Sequence, residues 1–388
     1  MTFARSAAWI LLAGAGFALF AGPARAQPAA LPKQDNTAFT KVREYRDIGR
    51  GGIPKDELKA AQGHFAKFAS YFAEVLKHPL VYRAPQEFKP LPPEQRHMTI
   101  EGEFGVLKVL EPYILEPGVG AKAGADGAVY VRELGAAFDA ALRALIENDP
   151  EPIVKVNAAR VLAYVCRGGS PAHYATLTEL LGNANTRTEI KYYLFHAAAN
   201  LLAASDPNWL KTRNHVAQTD NPKVVGALVK VLDDCVTNPA LLVPGLPGNK
   251  ADQATPDQLT VVALVRRQAV KALAQYRFAA AADADGKPLY PAHTLVRVAM
   301  SDPALLPAPG PADAAEAVIG ICNMAPVEAK GDKTVPVKYN ADVAVEAVTA
   351  ALVTFAEPRA ADPFDRRLPW RTYSLRIAEA LRNWRPLF

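Results

Sequence analysis

Residues 149–166 read DPEPIVKVNAARVLAYVC. An Asp-Pro turn opens the stretch, and Val154, Ala158 and Leu162 then recur at intervals of four. Residues four apart lie above one another on an α-helix, so the three form one apolar stripe. Two of them are small or β-branched, which suits a helix packed closely between neighbours on both sides. The arrangement returns downstream. In LVRRQAVKALAQY, residues 264–276, Val265, Arg266, Ala269, Val270 and Leu273 repeat the order of apolar residue, cation, alanine and leucine. In RTEIKYYLFHAAANLLA, residues 187–203, Ile190 and Lys191 take the places of Val154 and Lys155, with the alanine pair displaced to Ala197 and Ala198.

Helical periodicity around these stretches predicts five helix pairs: 133–147 with 149–166, 171–182 with 187–203, 221–234 with 259–276, 291–301 with 312–324, and 340–357 with 369–384. A helix pair hides one apolar face only, so pairs must stack to bury a continuous core. Ahead of them, Pro54–Lys77 carries an apolar stripe of Leu58, Phe65, Phe68, Phe72, Val75 and Leu76, and a shorter segment covers 104–115. Residues 27–35 read as a polar leader, and strand-like alternation is scarce. The expected fold is all-α: an α-solenoid of about five stacked antiparallel helix pairs over residues 129–388, preceded by an N-terminal helical segment with Pro- and Gly-rich linkers over 27–128.

Asp149, Val154, Lys155, Ala158, Ala159 and Leu162 together resemble the second helix of a HEAT repeat. The resemblance covers about residues 130–384 and is strongest at 149–166 and 259–276. It implies that the second helices line a concave face, and that Lys155, Lys191 and Arg266 hold a position that ties one unit to the next. It also implies protein–protein interaction. Arg160, Tyr193 and Lys271 fall nearer the open side of those helices, and Arg266 joins them if the cation position meets a partner instead. These four are the expected binding residues.

The N-terminus places that surface in a compartment. Arg5, the apolar run Ala7–Ala21 and the small-x-small signal Ala24-Arg25-Ala26 predict a cleavable secretory signal peptide over residues 1–26. The run is shorter than the roughly twenty apolar residues a membrane span needs, so no stable membrane span is expected after cleavage. A periplasmic or secreted location follows. Removing residues 1–26 takes two arginines and no acid from a formal charge of +5, leaving +3. The bases are scattered, without the basic stripe that nucleic-acid binding requires. Cys166, Cys235 and Cys322 sit apart in apolar helical stretches and read as buried thiols more readily than as one disulfide plus a free thiol.

Motifs for chemistry are sparse. There is no HExxH, GxSxG or CxxC, the histidines fall apart in sequence, and the loop GVGAKAGADG lacks the ending of a phosphate cradle. No catalytic residue, metal ligand or cofactor is expected. Asp233 and Asp234 are adjacent, so on a helix they point about 100° apart and cannot form a facing acid pair; they read as the end of a helix before a long loop, 235–256. Such a loop inside a repeat is usually functional or disordered. The function expected is a non-enzymatic, exported binding or scaffold protein with a protein partner. The alternative is an α/α-toroid enzyme acting on polysaccharide, disfavoured because only Trp209, Trp370 and Trp384 remain after cleavage to line a groove. A bilin lyase-like activity shares similar repeats but conflicts with export.

Overall fold

The computed structural model describes residues 32–47, 53, 56–78, 81, 100, 105–115, 125–204, 222–246, 254–278, 281–324, 345–350, 352 and 370–383. The described residues, all within 32–388, belong to one compact unit. The expected signal peptide at 1–26, the connector at 206–219 and positions 247–253 of the long loop lie outside the described residues.

The architecture is all-α. The N-terminal helices are α1 (Asn36–Asp47), α2 (Leu58–Leu76) and α3 (Val106–Ile114). Among the described residues four pairs follow: α4 (Ala125–Asn148) with α5 (Pro152–Val165), α6 (His173–Gly182) with α7 (Thr188–Ala204), α8 (Pro222–Thr237) with α9 (Pro256–Leu273), and α10 (Pro291–Ala299) with α11 (Pro311–Asn323). Helix α12 (Trp370–Asn383) comes last; its expected partner over 340–357 falls largely outside the described residues, of which 345–350 and 352 are helical. Among the described residues, sheet is confined to a hairpin of β1 (Ala281–Ala282) against β2 (Pro288–Leu289). No described helix is long and apolar enough to cross a membrane.

Helix starts follow local chemistry. Pro152, Pro256, Pro291 and Pro311 occupy first-turn positions, where the missing N–H costs no helical hydrogen bond. Asp149 Oδ1 accepts the Glu151 N–H at 2.9 Å and shapes the turn into α5. Thr255 and Gln258 form a reciprocal capping box at α9. Packing then runs pair to pair. The first helices α4, α6, α8 and α10 meet in sequence, and so do the second helices α5, α7, α9 and α11; α12 lies on α11. Helix α5 is buried on several sides, with Ala158, Ala159, Val161 and Leu162 all sealed from solvent. At the N-terminal end, rings from α1, α2 and α3 cluster on α4: Phe39 and Tyr113 pack on Phe68 at 4.6 and 4.8 Å, and Phe68 packs on Phe138 at 6.0 Å.

Three features differ from the reading of the sequence. Helix α1 follows directly on the expected leader; Asp35 Oδ1 accepts the Ala38 N–H at 3.0 Å as its cap, and Phe39, Val42 and Tyr45 are its buried face. Helix α8 runs on to Thr237, because Cys235 and Val236 continue its buried stripe. The loop after it is partly packed: a 3₁₀ turn at Pro239–Leu241 leads to a fully buried Leu242. The hairpin is the third. Asp283 Oδ1 accepts the N–H groups of Asp285 and Lys287, and Gly286 takes φ of +81°, which favours glycine. Its strand lies so close to α8 that a Cβ on Gly226 would sit 1.7 Å from the Ala282 carbonyl oxygen. We expect Gly226→Ala to force the hairpin off α8 and cost about 1–3 kcal/mol, read by urea denaturation of the full chain, whereas Gly63→Ala, inside α2 where the added carbon meets nothing within 4 Å, should stabilise by up to about 1 kcal/mol through helix propensity alone.

Candidate functional site

Helices α5, α7 and α9 each present one side to solvent, and their half-buried side chains form a strip. The Arg160 guanidinium lies over the Tyr193 ring at 5.9 Å. Tyr193 meets Tyr192 edge-on at 5.3 Å, and Tyr192 packs on His196 at 4.9 Å. Burial and the neighbouring Lys271 cation both hold the His196 imidazole below its usual pKa. Arg160, Tyr193 and Lys271 therefore share one face across three successive second helices, with Tyr192 and His196 between them. Nothing in the sequence singled out Tyr192. His196 is legible only once α9 sets Lys271 beside it.

Arg266 lies inside. Its side chain is 1% exposed, donates to the Pro307 carbonyl at 2.5 Å and stands 3.6 Å from Asp313. Lys191, at the same place in α7, is fully buried and donates to the Leu241 carbonyl. Lys155 donates to the Glu147 carbonyl at 2.8 Å. Beside Arg266, Asp313 accepts Arg267 Nε at 2.8 Å and the Gly310 N–H at 3.0 Å, which anchors the start of α11. Glu316 accepts Arg376 through both oxygens at 2.9 Å, with Lys271 3.5 Å away. These acids on α11 join α9 to α12, and none of the pairings was legible from sequence spacing.

The titratable groups elsewhere are structural. Asp139 accepts Thr176 Oγ1 at 2.7 Å and contacts His173 Nδ1 at 2.9 Å. Ser170 is nearby, so the residue types of a hydrolase triad are present, but Ser170 and His173 are sealed from solvent. Ser170 Oγ contacts the Arg132 carbonyl and the Ala172 N–H instead. Cys166, Cys235 and Cys322 are buried free thiols; burial raises all three, with Cys235 and Cys322 pushed up to about 12. Such thiols are poor nucleophiles. Among the described residues, no three or more His, Cys, Asp or Glu side chains are grouped to hold a metal ion.

Asp233 and Asp234 lie at the last turn of α8, which runs three residues beyond them to Thr237. Asp234 pairs with Lys230 at 2.6 Å, whereas Asp233 bonds to Thr294 and leaves Oδ1 buried without a hydrogen-bond partner. Desolvation raises the Asp233 carboxyl above its ordinary value. No family model matches the chain, and a search among curated proteins finds no match.

The raised Asp233 carboxyl has a stability consequence. Between 3.8 and its raised value the folded chain binds more protons than the unfolded chain, so this group's contribution falls as pH rises. Asp233→Asn is therefore expected to raise the melting temperature at pH 7. The gain should shrink as pH falls and disappear well below 3.8, where both states carry a neutral acid, and thermal melts across that range check it.

Proposed function

We propose that this chain is an exported, non-enzymatic binding protein built as a HEAT-like α-solenoid, and that it holds a protein partner on the strip of Arg160, Tyr193 and Lys271. The observation that carries the reading is the cation–aromatic strip across α5, α7 and α9, where Arg160 stacks on Tyr193 and Tyr192 continues to His196. Half-exposed arginine and tyrosine are the residue types that anchor protein interfaces, because they combine apolar area with a polar or charged tip. Pair-to-pair packing in two rows supports the solenoid, as does the want of any packed interface between α1–α4 and α11–α12 among the described residues. The signal-like residues 1–26 support export. Asp233 and Asp234, the acids a toroid enzyme would draw on, are turned to Thr294 and Lys230.

A cationic strip selects an acidic partner. Capture from the cell-envelope fraction with a C-terminally tagged chain should recover one protein reproducibly, less of it as salt rises. Arg160→Glu combined with Lys271→Gln, which sets no like charge against Glu316 3.5 Å away, should lower recovery at least about tenfold, as expected for removing two cations from an interface. Far-UV circular dichroism should be unchanged. Recovery that ignores both salt and the double substitution would sink this reading.

A further inference from the structure

Two of the three cation positions share a surrounding that the first lacks. At the second, the segment joining α8 to α9 lies over Lys191. Its Leu241 carbonyl accepts the ammonium, its Leu242 carbonyl accepts Thr188 Oγ1 at 3.2 Å, and the Leu242 side chain is fully buried. At the third, the segment joining α10 to α11 lies over Arg266: the Pro307 carbonyl accepts the guanidinium, and Leu305 is buried. In both gaps a connecting segment supplies the same two things, a backbone oxygen for the cation and a leucine for the apolar wall.

The first gap receives neither. The segment joining α6 to α7 is only residues 183–187, and Lys155 turns back to the carbonyl of Glu147 in its own pair. A cavity of about 450 Å³ stands open there. Ile146, Leu180 and Ile190 form its apolar wall, and Lys155, Asn183 and Arg187 stand among its polar groups. Its size is within the roughly 300–1,000 Å³ of ligand-binding pockets.

We propose that this cavity binds a turn-forming peptide segment of a protein partner, of the kind that Pro239–Leu242 makes over Lys191. The segment sets a leucine-sized side chain against Ile146, Leu180 and Ile190 and a backbone carbonyl on the Lys155 ammonium. The electrical match, a cation meeting a carbonyl oxygen, is the one the chain makes for itself at Lys191 and Arg266. Asn183 already accepts the Asn185 N–H at 2.9 Å through Oδ1, so its part is to donate its amide NH2 to a carbonyl of the bound segment. This inference rests on the reading of the chain as a protein-binding module, and gives the partner a chemistry.

The test uses the chain's own filling segment as probe. A blocked nonapeptide of residues 238–246, NPALLVPGL, is titrated onto the full chain and followed by fluorescence polarisation. Saturable binding is expected. Replacing the leucine at the 242 position of the peptide by aspartate should abolish it. Lys155→Met in the protein should weaken it about tenfold, the value of one hydrogen bond to a charged group. Thr186→Trp, which fills the cavity from its rim, should also abolish binding and keeps the test open if Lys155→Met proves unstable. No saturation by about 1 mM peptide, or binding untouched by both protein variants, overturns the proposal. The titration does not involve Arg160, Tyr193 or Lys271. Failed titration with intact charge-dependent capture therefore removes the cavity alone, and the reverse result removes the strip alone.

Discussion

Helix α5 has to be thin on two sides at once. It packs on α4 within its own pair and on α7 of the next, and at Ala158 and Ala159 no solvent reaches it. A larger side chain at either alanine would separate one interface in order to keep the other, since a close-packed interior has no room to absorb it. The same constraint recurs at Ala197 and Ala198 in α7, and at Ala269 and Ala272 in α9. Each second helix is held by burial against its neighbours more than by intrinsic propensity, which seldom stabilises a helix of this length alone. The register of every later element, including the strip of Arg160, Tyr193 and Lys271, depends on that spacing.

Buried cations are the second theme. Removing a charge from water is costly unless hydrogen bonds and counter-charges replace the lost solvation. The chain answers differently at equivalent places. Lys191 has a carbonyl and, among the described residues, no acid, and burial pulls its pKa down. Arg266 has a carbonyl and the nearby Asp313, itself held by Arg267 and the Gly310 N–H. Lys155 remains half-exposed against a carbonyl of its own pair. What differs among the three is the segment that comes over each cation, so loop length, not helix sequence, sets whether the gap is filled.

The surface beyond the strip is locked by charge. Arg376 grips Glu316 from α12, and Glu316 also stands within reach of Lys271. Bidentate arginine–carboxylate geometry fixes orientation as well as distance. One end of the strip is thereby fixed by charge, and at the other end Arg160 stacks on an aromatic face.

Much of the helical organisation was legible from residues alone. Apolar stripes at Val154, Ala158 and Leu162, or at Leu58, Phe65 and Phe72, follow from helical geometry, and Pro152, Pro256, Pro291 and Pro311 mark helix starts through their missing N–H. Helix α1 carries the same kind of signal in Asp35 and the Phe39–Val42–Tyr45 stripe, yet it was not among the expected elements, because it is short and adjoins a polar leader. The extension of α8 through Cys235 and the Asp285-Gly286 turn of the hairpin were weaker signals, because two-residue strands carry no periodicity. Sequence determined which side chains lie on the outer side of each second helix. Only the tertiary structure decided that Arg160, Tyr193 and Lys271 share a face with Tyr192 and His196, that Arg266 is sealed within, and that the first gap stays open. Those outcomes depend on contacts between residues tens of positions apart, and local periodicity carries no information about which segments the chain brings across them.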